Sequence, residues 1–234
     1  MGQGAAGEPG RGVRDLLVVV PTRGRPESAH RLQEAVEVTA TEKTDVIFGL
    51  DDDDFAAGSL MYRVPMWEMG PRKGMAEWTN HLTMARAGEY RAFASLGDDH
   101  LPRTHGWDKI LLDAISPHGG ISYGNDLIMG ERLCTAPVVS ANIAAALGWL
   151  CAPGLSHMCV DNALKDIGQE AGCLVYCPDV VIEHLHWCAG KAPMDSTYHE
   201  AGIFSPEHPD WLAYQAWRAD RMGADVATVK AAIR

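Results

Sequence analysis

The feature that most constrains the fold is the run Leu-Leu-Val-Val-Val at residues 16–20. Strands with one face in water alternate apolar and polar residues, whereas a continuous β-branched run is typical of a strand buried on both faces. Such strands occur in parallel sheets that carry helices on both sides. The run therefore predicts an α/β protein in which residues 16–20 form an inner strand.

The rest of the chain continues this alternation. The other predicted strands lie at 46–50, 60–65, 90–96, 120–124, 136–141 and 173–187. The predicted helices lie at 27–39, 75–87, 107–115, 143–150 and 157–171, and two amphipathic helices follow residue 206. This order predicts a single Rossmann-like α/β domain with a mostly parallel central sheet and helices on both faces.

Three of the predicted strands end in charged residues, in the segments VVVPTRGRP (18–26), VIFGLDDDD (46–54) and SLGDDHLP (95–102). Ligands of open α/β sheets bind at the carboxyl ends of strands, so the three ends predict one shared site. Adjacent carboxylates at Asp98 and Asp99 are costly unless a cation shares the space. Mn²⁺ or Mg²⁺ completed by phosphate oxygens fits this pair. A solvated Gly-Asp-Asp turn is the alternative explanation.

The acidic run after the second strand permits three interpretations. Asp51 or Asp52 can accept hydrogen bonds from a nucleotide base or ribose, the run can carry the nucleophile of an aspartate-based phosphatase, or it can be a solvated loop. Arg23 and Arg25 flank Gly24 after the first strand. Arginines there can counter phosphate charge beside a backbone that glycine leaves accessible, although surface arginines would give the same pattern.

Two later segments carry further candidates. Asp161 lies near a predicted helix start after a Gly/Pro-rich break, where it can act as a general base or simply favour the helix dipole. His184 and His186 are two residues apart in a predicted strand, so their side chains share a face. They can complete a metal shell, contact phosphate, or be structural.

With these residues assembled, the chain resembles the GT-A-fold glycosyltransferases of the large inverting, family-two-like group. The resemblance covers roughly residues 16–190. It rests on PTRGRPE after the first strand, the acids after the second, and the block GMAEWTNHLTMARAGEYRAFASLGDDHLP followed by GWDKILLDAI. It implies a metal-dependent enzyme that moves a sugar from a nucleoside-diphosphate sugar to an acceptor hydroxyl with inversion.

The resemblance and the strand-end argument together assign roles to individual residues. Those expected to bind the donor are Pro21, Thr22, Arg23, Arg25, Asp51, Asp52 and Asp98. Those expected to hold Mn²⁺ or Mg²⁺ are Asp99 as the principal ligand, Asp98, and His184 or His186. Asp161 falls where the family carries its catalytic base, and would take the proton of the acceptor hydroxyl.

Length and charge set the remaining expectations. The 234 residues suit one domain, with a disordered leader at 1–12, a catalytic domain at 13–190 and a C-terminal helical extension at 191–234 packed on it. A formal charge of −11, from 20 basic and 31 acidic side chains, argues against a protein that wraps duplex nucleic acid. No apolar run reaches the roughly 18 residues of a membrane span, and we expect a cytoplasmic protein.

The partner that these features predict is a nucleoside-diphosphate sugar, with a UDP-sugar favoured. The acceptor stays open among a glycan, a small molecule, a protein and a modified nucleic-acid base. The competing functions are a nucleotide-sugar or glycan-binding module without turnover, an aspartate-based phosphatase, and a nucleotidyltransferase. The last is disfavoured because GRPES lacks the lysine expected after a Gly-rich loop.

Overall fold

A computed structural model describes residues 12–115, 117–200 and 207–233. The predicted leader at 1–12 lies outside the described residues except for Gly12. Within them, eight strands pair into one sheet. In chain order the strands are β1 (Arg14–Thr22), β2 (Thr44–Asp51), β3 (Trp67–Gly70), β4 (Tyr90–Ser95), β5 (His100–Pro102), β6 (Ile121–Asn125), β7 (Val138–Ser140) and β8 (Leu174–His184).

The helices surround this sheet and alternate with its strands along the chain. In chain order they are α1 (Pro26–Thr39), α2 (Ala57–Leu60), α3 (Met75–Met84), α4 (Trp107–Ala114), α5 (Ala141–Leu147), α6 (Val160–Ala171), α7 (Ser196–Glu200), α8 (Pro209–Asp220) and α9 (Met222–Ala232). Most begin and end within a few residues of the predicted bounds, because their apolar spacing is regular enough to be recognised locally.

The strand order is β3-β2-β1-β4-β7-β6-β8-β5. Strands β3, β2, β1 and β4 are mutually parallel, and β6 and β8 run in the same direction. Strands β5 and β7 run against them. The mostly parallel sheet predicted from the sequence is confirmed, with two reversed strands that local patterns did not indicate.

The core lies on both faces of the sheet. In β1, Leu17 and Val19 belong to one buried apolar cluster, whereas Leu16, Val18 and Val20 belong to the cluster on the other face. All five side chains are fully buried. Burial on both sides explains the uninterrupted β-branched run and confirms the prediction of helices on both faces.

The predicted strand at 60–65 is wrong. Leu60 ends the short helix α2, and the turn that follows leaves Tyr62 exposed. The helix forms because Asp54 accepts from the backbone N–H of Ala56 and of Ala57, which starts a helical turn after the acidic loop. The strand lies instead at β3, between the predicted strand at 60–65 and the predicted helix at 75–87, and its four residues are too few to show a period in sequence.

The two C-terminal helices pack against the rest of the domain. The Tyr214 hydroxyl donates to Asp166 of α6 at 2.6 Å, and the Trp217 ring meets Trp149 edge-on. Asp210 accepts from the backbone N–H groups of the loop at 156–158, which leads into α6. In the described residues no helix combines the length and apolar character needed to cross a membrane.

Candidate active site at the carboxyl ends of the strands

The parallel strands bring the predicted strand ends together. Because β1 lies between β2 and β4, Thr22, Asp51 and the Gly97-Asp98-Asp99 turn meet at one edge of the sheet. The Thr22 hydroxyl donates to Asp98 Oδ2 at 2.6 Å, and Arg25 Nη1 donates to Asp98 Oδ1 at 3.2 Å. Pro21 is partly exposed beside Thr22 in β1. The first and fourth strands therefore build one polar site.

Asp98 and Asp99 lie in different environments although they are adjacent. Burial, and then the charge of Asp99, raises the pKa of Asp98, and the contacts with Arg25 and Thr22 only partly oppose this. Burial would also raise the pKa of Asp99, but contacts with His184, His100 and Tyr198 outweigh it and hold that pKa well below its usual value. Asp99 is thus the more acidic carboxyl group of this pair.

Asp99 forms a compact cluster with two histidines. Nδ1 of His100 lies 3.4 Å from Asp99 Oδ1, and Nε2 of His184 lies 3.5 Å from Asp99 Oδ2. The two rings stack with their centroids 4.1 Å apart. Burial, and then the neighbouring His184, lowers the pKa of His100 to about 3, so this imidazole is neutral. The sequence analysis did not single out His100 as a ligand.

The cluster fits a divalent cation. One ligand atom each from Asp99, His100 and His184 lies within 4.8 Å of the others. The His100 nitrogen nearest Asp99 is Nδ1, which accepts from the Gly97 backbone N–H, and Nε2 of the same ring is buried with no hydrogen-bond partner among the described residues. A carboxylate and neutral imidazoles are good ligands for divalent metals.

The other two predicted metal ligands lie beside this cluster. Asp98 directs its oxygens to Thr22 and Arg25, as described above. His186 lies beyond the end of β8, where its Nδ1 is 2.8 Å from the Cys188 sulfur and its ring meets Tyr198. Its ring also contacts His184 edge-on.

The segment before and within α7 covers Arg25 and Asp99. Asp195 forms two hydrogen bonds with the Arg25 guanidinium, both 2.7 Å long. The same guanidinium lies 4.2 Å from the Tyr198 ring centroid, and the Tyr198 hydroxyl donates to Asp99 Oδ2 at 2.8 Å. Sequence reasoning missed Asp195 and Tyr198. Asp195 carries a recognisable capping signal for α7, but a pair with a residue 170 positions away leaves no local trace.

Most of the acidic side chains at the end of β2 are hydrogen-bonded to other groups of the protein. Asp51 is 3% exposed and accepts from Trp78 Nε1 at 2.7 Å, the Lys73 backbone N–H at 3.0 Å and Arg23 at 3.0 Å. Arg23 also pairs with Asp53. Asp52, in contrast, is exposed. Arg23 and Asp51 therefore contact one another, separately from the group around Arg25 and Asp98.

Asp161 lies in the first turn of α6 and has an unusual environment. It is partly exposed, yet among the described residues no hydrogen bond or ion pair to its carboxylate is found. Burial raises the pKa of Asp161 to about 7; His184 opposes this shift and Asp126 adds to it. Asp161 is therefore within electrostatic range of His184, which itself contacts Asp99.

No family model matches the sequence, and neither does any curated protein. Solved structures are nevertheless similar in fold. PcManGT, a mannosyltransferase from Pyrobaculum calidifontis in complex with GDP-Man and Mn²⁺, has a TM-score of 0.60 and 12% identity over 97% of this chain and 76% of its own. A putative nucleotide-diphospho-sugar transferase from Desulfovibrio desulfuricans G20 has a TM-score of 0.52 and 12% identity over 95% and 98%.

The third similar structure is the S. aureus TarS 1-349 fragment in complex with UDP-GlcNAc. Its TM-score is 0.55 at 9% identity, over 74% of this chain and 59% of the fragment, so this chain spans less than two thirds of it. At such identities the likeness concerns the fold. The chain has the GT-A fold of nucleotide-diphospho-sugar transferases, as the resemblance in its sequence predicted.

Proposed function

We propose that this protein is a metal-dependent glycosyltransferase that moves a sugar from a nucleoside-diphosphate sugar to an acceptor hydroxyl with inversion. The observation that carries the proposal is the Asp161 carboxylate, which has no partner among the described residues and lies in electrostatic range of the His184–Asp99 cluster. A buried structural carboxylate is hydrogen-bonded to the protein, as Asp51 is, whereas Asp161 is partly exposed and has no such bond among the described residues. An acid without a partner beside a cation site on a GT-A fold suits a general base.

Arg25 and Thr22 are the proposed contacts for the donor near its diphosphate. Arg25 presents a planar guanidinium at the end of β1, which can form paired hydrogen bonds with phosphate oxygens. In this structure the Arg25 guanidinium forms two hydrogen bonds with Asp195. A bound diphosphate would therefore share Arg25 with Asp195 or replace it. Pro21, Arg23, Asp51 and Asp52 remain proposed contacts for the base and ribose.

Asp99 and His184 are the proposed metal ligands from the predicted set, with Asp98 and His186 next to them. When bound, Mn²⁺ or Mg²⁺ would stabilise the charge on the departing diphosphate as a Lewis acid. Asp99 suits this role because it stays ionised although it is largely enclosed. Asp98 neutralises part of the Arg25 charge and holds Thr22 in place.

Asp161 would remove the acceptor proton as the hydroxyl attacks the anomeric carbon. A base works best when its pKa lies near the working pH, and burial brings that of Asp161 to about 7. The new glycosidic bond forms as the bond to the diphosphate breaks, and the proton ends on Asp161. Attack from the side opposite the leaving group inverts the anomeric centre, so a covalent intermediate is not needed.

The similar structures support a nucleotide-sugar donor. PcManGT was solved with GDP-Man and Mn²⁺, and TarS with UDP and with UDP-GlcNAc. We propose a UDP-sugar for this chain. The acceptor is proposed only by its chemistry, a hydroxyl group that reaches Asp161.

The test is a thermal-shift measurement of the purified protein with UDP, GDP, CDP and dTDP, each with and without Mn²⁺. A ligand present at about 100 times its Kd should stabilise the folded state by about 2.7 kcal/mol. We expect a shift that is specific for UDP, requires Mn²⁺ and is lost in Asp99→Ala. The matched control is Asp113→Ala, which removes an exposed carboxylate from α4.

Turnover is then measured with a panel of UDP-sugars and simple glycosides. No shift with any nucleotide would contradict the transferase proposal. Nucleotide binding without transfer would favour the binding module, and release of inorganic phosphate without an acceptor would favour the phosphatase.

A further inference from the structure

We propose that His100 is a direct ligand of the cation, so that Asp99, His100 and His184 form a nitrogen-rich site that selects transition dications such as Mn²⁺ and Co²⁺ over Mg²⁺. This inference deepens the proposed function and rests on it, because it concerns the same cation. It departs from the sequence-based expectation, in which two adjacent carboxylates supply the main ligands.

The first argument is the pairing of β5 with β8. His100 and His184 are directly opposite each other in this antiparallel pair, and their rings stack with 22° between the planes. Both imidazoles therefore face the same carboxylate, one from each strand, at 3.4 and 3.5 Å. Directly opposed residues of an antiparallel pair are close neighbours, so the position of His100 follows from the sheet.

The second argument is the close approach at Gly97. A Cβ atom at this position would lie 2.7 Å from Asp99 Oδ1 and 3.0 Å from His100 Nδ1. Such contacts are too short, so a side chain here would push both groups away. The Gly97 backbone N–H donates to His100 Nδ1 at 3.0 Å, so the unprotonated nitrogen of this ring is the one that lies 3.4 Å from Asp99 Oδ1. A cation between Nδ1 and Asp99 would take over the lone pair of this nitrogen.

The third argument is the number of oxygen ligands. Asp98 is the natural second carboxylate, but its two oxygens accept from Thr22 and Arg25. That leaves one carboxylate and two imidazoles in the cluster. Mg²⁺ prefers oxygen ligands in octahedral geometry, whereas imidazole favours later first-row metals, with affinity rising from Mn²⁺ to Co²⁺. The donor set therefore discriminates against Mg²⁺.

The experiment measures cation binding directly on the full chain, without turnover. Mn²⁺ binding is followed by the electron paramagnetic resonance signal of free Mn²⁺, Co²⁺ binding by visible absorption, and Mg²⁺ binding by competition, each with and without UDP. We expect Co²⁺ and Mn²⁺ to bind at least about tenfold more tightly than Mg²⁺. His100→Gln should weaken Mn²⁺ and Co²⁺ by about tenfold or more, and Mg²⁺ by much less.

The matched control is His105→Gln, the same substitution at an exposed histidine three residues beyond β5, which should leave all three affinities unchanged. His100→Asp should shift the preference back toward Mg²⁺, because it replaces a nitrogen ligand with oxygen. Since these variants alter a buried position, electron spin-echo spectroscopy of the Mn²⁺-loaded wild-type protein gives an independent measurement. It should show ¹⁴N couplings from two imidazoles.

Several results would overturn the inference. They are Mg²⁺ affinity equal to that of Mn²⁺, unchanged Mn²⁺ affinity in a folded His100→Gln protein, or nitrogen coupling from fewer than two imidazoles. The two proposals fail separately. Two-imidazole binding of Mn²⁺ without sugar transfer would support this inference and contradict the transferase. Sugar transfer with Mg²⁺ bound as tightly as Mn²⁺ would support the transferase and contradict this inference.

Discussion

Acidic side chains lie at the carboxyl end of β2 and, on the other side of β1, at the carboxyl end of β4, and their environments differ. Asp51, at the end of β2, is enclosed by donors from Trp78, Lys73 and Arg23. The region after β4 and at the start of α6 is less compensated. There Asp98 is next to a second carboxylate, and Asp161 has no partner among the described residues.

The difference separates acids that hold the fold from acids that can do chemistry. A buried charge with donors on each oxygen stabilises one conformation. A carboxylate whose neighbours leave it uncompensated carries a shifted pKa and costs stability, which is the usual condition of a catalytic group. Asp51 and Asp98 both lie at the acidic ends of buried strands, so their sequence patterns look alike.

The largest effect that tests this contrast is expected for Asp161→Asn. Removing a general base typically lowers kcat by about 10²–10⁴-fold. The variant should still fold and bind UDP with Mn²⁺ as the wild type does, because Asp161 is not among the proposed donor contacts. The measurement is single-turnover sugar transfer beside UDP binding. Equal rates in wild type and variant would remove Asp161 from the mechanism.

The next effect is a loss of stability in Asp51→Asn. The substitution removes the charge that Arg23 faces and replaces one acceptor oxygen with a donor group, so Trp78 or Arg23 loses its partner. Leaving one partner of a buried polar network unpaired costs about 2–4 kcal/mol. Denaturant unfolding measures this free energy. A loss below about 0.5 kcal/mol would show that the hydrogen bonds of Asp51 do not stabilise the fold measurably.

A further effect is expected in the pH dependence of the stability that Asp161 contributes. Its pKa is about 7 in the folded protein and 3.8 in the reference state. Between these values the folded protein holds a proton that the unfolded chain has lost, so this group's contribution to stability falls as pH rises, by at most about 1.4 kcal/mol per pH unit. Asp161→Asn should therefore match the wild type near pH 4 and be more stable above pH 7.

The same titration predicts the opposite trend for activity. The base must be deprotonated, so transfer by the wild-type enzyme should increase as the pH passes through about 7. Unfolding curves and rates collected over one pH series test both trends. A stability difference that does not change with pH would contradict the raised pKa.

The smallest effect is expected for Asp52→Asn. Asp52 is exposed and next to Asp51 in sequence, so Asp52→Asn is the matched control for Asp51→Asn. A substitution at such a surface position should change the unfolding free energy by less than about 0.5 kcal/mol. If UDP binding weakens in the same variant, the proposal that Asp52 contacts the donor is supported. Unchanged binding would remove Asp52 from the proposed donor contacts.

Local sequence patterns predicted most of the helices and strands. The elements that were missed are too short to show a pattern. The apolar run of β1 and the spacing in α1 and α6 are long enough to show their period. Strand β3 has four residues, and α2 has four, so neither could be recognised. The acid-tipped strand ends were visible because polar residues directly follow buried runs.

The sequence alone determined an α/β domain with a mostly parallel sheet and a polar site at its strand ends, because these properties follow from periods and neighbours along the chain. The tertiary structure decided which polar residues act together. His100 meets His184 through the β5–β8 pair, and Arg25 meets Asp195 across 170 positions. It also enclosed Asp51 with donors, whereas Asp161 has no partner among the residues that the structure describes. Such differences depend on burial and on contacts between distant segments, which residue order along the chain does not encode locally.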